Sequence, residues 1–281
     1  MMNLLLAACL ATSEAKVSPG SQFHLQPAIP HAGSLFRLAL RGGEVNGKSN
    51  EVTATVSGEP LHFHVVGDSL VAIAAIPIDS THGVNITLHC NNDAAITSRI
   101  RTQSGAYLLE KLTVAPQFSA PPDSALSARM SREAAQAAAV SRESHHTPRL
   151  WTAAFAKPRA TRITSAFGGG RIFNGHVTSR HMGTDFAGTV GEPVRAANRG
   201  IVRLIGSFYL GGNVVYIDHG EGLVTAYLHL SKQLVAIGDT VEQGGIIGNV
   251  GATGRVTGPH LHFIARYGQI TVDPLTLFDQ R

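Results

Sequence analysis

Three histidine-bearing segments near the end of the chain combine side chains that bind metal ions and move protons. They read His181-Met182-Gly183-Thr184-Asp185, Tyr227-Leu228-His229-Leu230 and Gly258-Pro259-His260-Leu261-His262. Side chains two apart on a strand point to the same face, so His260 and His262 are predicted to project together. One of them can bind a metal ion while its neighbour faces a substrate.

His181 and Asp185 lie four residues apart with Gly183 between them. They can converge on one ion if a loop turns into a strand there, and a glycine permits that turn. Two neutral imidazoles and one carboxylate form a ligand set that suits Zn²⁺ and leaves a fourth position open. The spacing therefore predicts a catalytic rather than a structural metal site.

Ordered secondary structure must hold these side chains in position. The sequence from Ile163 onward is rich in glycine and in strand-like runs, with few helix signals. The runs are Gly200 to Ile205, Asn213 to Asp218, Leu223 to His229 and Leu261 to Arg266. This pattern predicts a C-terminal domain over 161–281, built as a mostly antiparallel β-sheet that carries a groove.

The same stretch resembles the LytM/lysostaphin-type zinc metallopeptidases, cell-wall endopeptidases whose motifs are H-x-x-x-D and H-x-H. The resemblance runs from Ile163 to about Pro274. Beyond the histidine motifs, the similar segments are 191–197 (GEPVRAA), 200–202 (GIV), 212–215 (GNVV), 218–220 (DHG), 241–244 (VEQG) and 248–254 (GNVGATG). Their order and spacing together are specific, although each motif is short.

The resemblance implies roles for five side chains. His181, Asp185 and His262 would bind one Zn²⁺, and His229 and His260 would form the catalytic pair. One histidine of the pair takes the proton of a water molecule, and the other stabilises the oxyanion or protonates the leaving amine. Either histidine can take either role.

Arg171, Asn174 and Tyr227 are further candidates, as substrate contacts. The segments 167–171 and 174–175 resemble the groove rim of family members that have an N-terminal β module. Arg171 can pair with a peptide carboxylate such as that of diaminopimelate, or be an ordinary surface arginine. Tyr227 precedes His229 by two on the same predicted strand face, so it can donate to the oxyanion or simply pack.

The resemblance implies a zinc-dependent endopeptidase that hydrolyses cross-links between stem peptides of bacterial peptidoglycan, with D-alanine to diaminopimelate as the expected bond. Two other functions stay open. A non-catalytic LytM-like protein can activate a cell-wall amidase by contact, and a groove can hold peptidoglycan without cutting it. Relatives of the activator kind lose zinc ligands, whereas this sequence keeps every ligand and both catalytic histidines.

Composition bounds the remaining classes. With 43% hydrophobic and 15% charged residues, the chain is expected to be ordered and globular. Its net charge of +4 comes from scattered Lys and Arg, and aromatics are 6% of residues, so no nucleic-acid surface is predicted. No stretch has membrane-spanning length. The oligomeric state is open.

The first part of the chain predicts a separate module. Short alternating runs divided by turn residues over 21–116 indicate an Ig-like antiparallel β-sandwich. The runs are Leu35 to Leu40, Val52 to Val56, Leu61 to Val66, Leu70 to Ile76, Val84 to Cys90 and Tyr107 to Val114. Residues 117–160 predict a connector, with a helix over Ser124 to Arg142 capped by Ser124 or Ser131.

Residues 1–20 predict an export signal, because an apolar run from Leu4 to Leu10 precedes small and polar residues. Leu6-Ala7-Ala8-Cys9 also fits a lipoprotein-processing box. The predicted location is the periplasm or cell envelope, with a lipid anchor if Cys9 is acylated. Once Cys9 is cleaved off or acylated, Cys90 has no partner for an intramolecular disulfide.

Overall fold

The computed structural model describes residues 22–41, 52–90, 95–105, 107–118, 121–175 and 177–280. The predicted export signal and its Cys9 lie outside these residues. The chain forms two compact units, Met1–Gly105 and Ala106–Arg281. No helix among the described residues combines the length and apolar character that a membrane crossing requires.

The first unit contains two four-stranded antiparallel sheets, with strand orders β1-β2-β6-β5 and β4-β3-β7-β8. The strands are β1 Gln22–Gln26, β2 Leu35–Arg41, β3 Val52–Val56, β4 Glu59–Pro60, β5 His64–Val66, β6 Ser69–Ala75, β7 Val84–Cys90 and β8 Ile96–Ile100. Apolar side chains from both sheets meet in one buried core, among them Phe36, Leu38, Leu70, Val56, Ile86 and Leu88. The predicted β-sandwich is thereby confirmed.

One predicted strand of this unit is wrong. The run from Leu61 to Val66 is divided: β4 ends at Pro60 and pairs with β3, and β5 begins at His64 and pairs with β6 in the other sheet. The chain therefore changes sheets within a run that looks continuous in sequence. Hydrophobic alternation does not show such a crossing.

The second unit is built on an eight-stranded sheet of order β10-β13-β21-β17-β16-β15-β19, with β22 paired to β21. Two three-stranded sheets, β12-β11-β9 and β14-β20-β18, flank it. The strands are β9 Leu109–Leu112, β10 Ile163–Ser165, β11 Gly170–Phe173, β12 Val177–Arg180, β13 Thr184–Ala187, β14 Pro193–Arg195, β15 Gly200–Phe208, β16 Gly212–Gly220, β17 Leu223–Leu230, β18 Lys232–Gln233, β19 Thr240–Val241, β20 Ile246–Asn249, β21 His260–Tyr267 and β22 Ile270–Val272. The predicted antiparallel domain is confirmed.

Strand β9 departs from the sequence-based assignment of Tyr107 to Val114 to the first module. It pairs in parallel with β11, Glu110 opposite Arg171, and therefore belongs to the second unit. Among the described strands of that unit, it is the one with a parallel neighbour. Alternation predicts that a strand forms, but not which strand will be its partner.

Helix α1, Ser124–Glu143, packs on the large sheet of the second unit. Its Ala137 joins a buried apolar cluster with residues of β16 and β17, namely Val214, Tyr216, Val224, Ala226 and Leu228. The helix begins where predicted, but the capping side chain is Asp123, whose carboxylate accepts from Leu126 N at 2.7 Å. The prediction of Ser124 or Ser131 as the cap is wrong, because Ser124 is the first residue of the helix and Ser131 lies in its interior.

Candidate metal centre and groove

Three buried side chains of the second unit bring their ligand atoms together. His181 Nε2 lies 3.0 Å from Asp185 Oδ1 and 3.0 Å from His262 Nδ1. The distance from His262 Nδ1 to Asp185 Oδ1 is 2.7 Å. These are the three residues predicted as metal ligands, and the cluster they form could hold a metal ion.

Two paired strands and one turn create this cluster. Asp185 on β13 lies directly opposite His262 on β21 in an antiparallel pair, which places both side chains on one face. His181 precedes β13 and is fixed by its backbone, since its N–H donates to Gly169 O and its carbonyl accepts from Gly168 N, both at 2.7 Å. The sheet register therefore sets the spacing of the ligand atoms.

The donor set fits a divalent cation. His181 Nδ1 donates to Ala166 O at 2.8 Å, which leaves Nε2 unprotonated and directed at Asp185. Burial lowers the pKa of His262 to about 4, so this imidazole is also neutral near pH 7. Three lone-pair donors that converge in this way repel one another unless a cation lies between them. Tetrahedral Zn²⁺ would hold such atoms about 3.3 Å apart, slightly farther than they lie here.

Both oxygens of the Asp185 carboxyl group have partners. Burial raises the pKa of Asp185, but N–H donation from His181 and His262, which a bound metal ion would replace, outweighs burial and holds the pKa well below its usual range. The other carboxylate oxygen, Oδ2, accepts from Arg171 Nη2 at 2.8 Å. One oxygen is thus available to a metal ion while an arginine fixes the second.

Gly183 is needed because a side chain at this position would collide with His262, and not because the backbone turns there. Its φ lies outside the left-handed region that glycine alone favours, so the predicted conformational reason is wrong. A Cβ at this position would lie 2.6 Å from Phe263 O and 2.7 Å from His262 Nε2. The glycine lets the His262 ring pack directly on the backbone.

A β-bulge aims His229 at the metal ligands. Tyr227 lies opposite Phe263 and Leu228 opposite His262, so a regular strand would turn His229 away from that face. Instead, Leu228 and His229 together oppose the single residue Val214, and His229 takes a left-handed φ of 63°. Its ring consequently lies 5.7 Å, centroid to centroid, from that of His262.

His229 and His260 form a pair whose ring centroids are 5.0 Å apart. Each Nδ1 donates to a backbone carbonyl at 2.8 Å, His229 to Thr253 O and His260 to Gly258 O. In the neutral tautomer that these bonds favour, Nε2 is the acceptor of each ring, and that of His260 lies 3.7 Å from Asp185 Oδ1. Burial lowers the pKa of His229 to about 3, which keeps this ring neutral.

The histidine pair and Asp185 open into a groove of about 590 Å³. Its walls come from residues 161–165, 187–192 and 255–260, together with side chains of β9 and β11. The lining mixes apolar and polar side chains, and its charged members include Glu110, Arg162, Arg171 and Arg255. An extended peptide can therefore reach the metal cluster from solvent.

Arg171 lines this groove, as predicted for a substrate contact, but its guanidinium is already engaged within the protein. Nη2 donates to Asp185 Oδ2 and to Ser165 Oγ, at 2.8 and 2.9 Å. Nε donates to Glu110 Oε2 at 3.3 Å. These contacts connect the groove rim to the aspartate of the metal cluster.

Asn174 occupies a turn after β11 with a φ of 49°. Its side-chain Oδ1 accepts from Val114 N and its Nδ2 donates to Val114 O, both at 2.9 Å. The amide thereby fastens the chain that follows β9 to the β11 turn. The structure gives Asn174 a role in holding the rim together.

Tyr227 packs on the side of the sheet opposite the histidine pair, so its predicted shared face with His229 is wrong. The bulge described above is the physical reason. Its ring is fully buried against Phe263, at a centroid distance of 5.2 Å. Its hydroxyl accepts from Ala197 N at 2.8 Å. The packing role, which the sequence left open, is the one that this environment favours.

Sequence reasoning missed the groups that position the site. Glu110 and Ser165 hold Arg171, and the carbonyls of Thr253 and Gly258 hold the two rings. Backbone acceptors carry no signature in the side-chain sequence. Glu110 lies far from the histidine motifs along the chain, and only the pairing of β9 with β11 brings it to the groove.

Comparison with known proteins agrees with this geometry. Peptidase family M23 matches residues 179–274, which include all three predicted ligands and the histidine pair. The peptidoglycan DD-endopeptidase ShyA of Vibrio cholerae is 48% identical over 105 residues, which are 36% of this chain and 24% of ShyA. The DD-carboxypeptidase/endopeptidase Mpg of Neisseria meningitidis is 43% identical over 117 residues, 42% of this chain and 27% of Mpg.

The chain thus spans about a quarter of the length of these curated relatives. A crystal structure described as a putative peptidase M23 from Pseudomonas aeruginosa superposes with a TM-score of 0.67 at 27% identity, covering 89% of this chain and 94% of that one. The three predicted ligands and the histidine pair therefore lie in a peptidase family M23 domain at 179–274, the LytM-type family that the sequence motifs indicate.

Proposed function

We propose that this protein is a zinc-dependent endopeptidase that hydrolyses the peptide cross-links of bacterial peptidoglycan between D-alanine and diaminopimelate. The observation that carries the proposal is the convergence of a two-histidine, one-aspartate cluster and a second histidine pair on one open groove. Two relatives are named for DD-endopeptidase activity, which supports this substrate class.

His181, Asp185 and His262 would hold the zinc ion through Nε2, Oδ1 and Nδ1. When bound, zinc supplies Lewis acidity that polarises the scissile carbonyl and lowers the pKa of water at the site. Arg171 would keep the Asp185 carboxylate oriented through its hydrogen bond to Oδ2. Because the ligand set carries a single negative charge, the centre keeps a net positive charge facing the groove.

His229 and His260 move the protons of the reaction. Both rings are fixed by Nδ1 hydrogen bonds and present an unprotonated Nε2, so either can accept a proton from attacking water. A ring that has taken this proton can stabilise the oxyanion and then deliver the proton to the amine that leaves. The two carbonyl anchors keep both rings in place without side-chain entropy being lost at the moment of reaction.

The proposed substrate places the protein in the cell envelope, with peptidoglycan stem peptides as its partner. An export signal over residues 1–20, and a lipid anchor at Cys9 if it is processed, would fit that location. Both remain predictions, since they lie outside the described residues.

The test is zinc content together with muropeptide release from purified peptidoglycan, using wild type and His260→Ala. We expect one zinc per chain in both proteins and new stem-peptide ends, identified by mass, from the wild type. The variant should retain zinc and lose at least about 100-fold in rate. Zinc-free wild type that releases nothing, yet stimulates an added cell-wall amidase, would replace the enzyme with an activator.

A further inference from the structure

Three arginines line the groove, and their surroundings differ. Arg171 is held by Asp185 and Glu110, so its charge is compensated within the protein. Arg162 is exposed, and water solvates its guanidinium. Arg255 is neither compensated nor fully solvated, which makes it the arginine whose charge requires an explanation.

The Arg255 side chain lies over the ring of Phe173, with 4.1 Å from its guanidinium carbon to the ring centroid. It is half-buried, and within the described part of the chain no carboxylate forms an ion pair with it. Burial, and next the neighbouring charge of Arg171, lower the pKa of Arg255. A desolvated cation beside a second cation is costly unless an anion joins it.

Arg255 is also held firmly near the reacting groups. Its backbone N–H donates to Leu210 O at 2.9 Å. It lies in a loop whose two ends are the carbonyls of Thr253 and Gly258, the acceptors for His229 and His260. The backbone of Arg255 therefore belongs to the same short segment that positions both catalytic rings, and its guanidinium rests on Phe173.

We propose that Arg255 is the anion-recognition residue of the groove and binds the substrate carboxylate on the carbon that bears the scissile nitrogen. This inference rests on the proposed function, because in a D-alanine to diaminopimelate cross-link that carbon keeps a free carboxylate. The planar guanidinium, braced by Phe173, presents two parallel N–H groups to such a carboxylate. Recognition beside the scissile bond selects diaminopimelate and aligns the leaving amine.

Two cross-linked stem-peptide dimers test the proposal, identical except that this carboxyl is free in one and a carboxamide in the other. We expect wild type to prefer the acid by about tenfold or more in kcat/KM. Arg255→Gln should raise KM for the acid and abolish the preference, while the amide is cleaved as before. Arg255→Lys should keep part of the preference, because a point charge remains.

Arg132→Gln is the matched control, since Arg132 is exposed on α1 and its loss changes the net charge equally. It should retain the preference of the wild type. Zinc content and thermal melting, measured on every variant, show whether each is folded. A wild type without preference, or an Arg255→Gln protein that keeps it, would overturn the anion site.

Calorimetric binding of the same two dimers separates this inference from the proposed function. If neither dimer is cleaved but wild type binds the acid more tightly than Arg255→Gln does, the anion site stands and the hydrolase is refuted. Equal affinity of both proteins for the acid dimer overturns the anion site, whether or not cleavage occurs.

Discussion

At the scale of single residues, the metal cluster depends on residues that touch the proposed ligands but would not bind the metal ion themselves. The His262 ring rests on Gly183, and Arg171 fixes the oxygen of Asp185 that faces away from the cluster. Groups of this kind set the orientation of metal ligands and commonly change metal affinity by about 10- to 100-fold when removed. Gly183 gives the clearer test of this effect, because a substitution there adds a Cβ without removing any contact of an existing side chain.

Gly183→Ala is expected to lower zinc affinity at least about tenfold, since the added Cβ would lie 2.7 Å from His262 Nε2 and must push the ring aside. Competition with a chromogenic chelator measures the affinity. Gly258→Ala is the control, because nothing lies within 4 Å of a Cβ there. Unchanged affinity in Gly183→Ala would show that the ring is not held by this contact.

The five residues with proposed roles in metal binding and proton transfer could be found from sequence because their types and spacing are demanding. The direction in which their side chains point could not be predicted from the sequence. A bulge and a left-handed backbone conformation bring His229 close to His260 and His262. The residue types at 228–229 predict neither feature. The same bulge separates Tyr227 from His229, so one local irregularity brings the predicted histidine to the groove and explains why the predicted shared face of Tyr227 is wrong.

At the scale of elements, a chain of buried polar groups links β16, β17 and the segment that precedes β15. His219 Nδ1 donates to Arg199 O, and its Nε2 lies 2.8 Å from Thr225 Oγ1. Thr225 Oγ1 in turn lies 3.0 Å from the hydroxyl of Tyr227. The Thr225 hydroxyl donates to Tyr227, and the complete burial of the His219 ring favours its neutral form.

The neutral form of His219 makes stability depend on pH. Burial lowers its pKa to about 4, below the ordinary value of 6.5 that it regains on unfolding. The unfolded chain therefore binds a proton first, so the contribution is complete above about pH 6.5 and is lost as pH falls toward about 4. At about 1.4 kcal/mol for each pH unit between these two values, the contribution to stability is about 3 kcal/mol.

His219→Gln tests this dependence by urea unfolding at several pH values. We expect the variant to be less stable than wild type at pH 7, with a difference in unfolding free energy that shrinks steadily toward pH 4. Groups common to both proteins cancel in this difference. A gap that stays constant across the range would mean that His219 is not the titrating group.

Strand β9 shows that the sequence can predict a strand without predicting which strand it pairs with. Its residues were recognised as a strand, yet its partner β11 follows about 60 positions later and joins it in parallel. Local alternation carries no information about that pairing. The pairing of β9 with β11 brings Glu110 to Arg171. The role of Glu110 in positioning Arg171 was therefore missed for the same reason as the pairing itself.

At the scale of the whole molecule, residues 107–175 are expected to be part of the catalytic unit rather than a connector. Helix α1 covers the apolar cluster that contains Val214, and Ser144 and Thr147 both donate to the buried Asp218 at 2.6 Å. Strand β9 supplies one wall of the groove. Neither function is expected from the 179–274 segment by itself.

Three fragments separate these contributions, ending together at 281 and beginning at 107, 121 and 150. The first should match the full chain in melting temperature and zinc affinity, because it keeps the whole second unit. The second retains α1 but loses the Glu110 contact to Arg171, so it should melt nearly as the first does and cleave peptidoglycan more slowly. The third exposes the apolar cluster and strips two donors from Asp218, and should aggregate or melt far lower. A fragment from 150 that is as stable and as active as the full chain would restrict the catalytic unit to the segment that the family match marks.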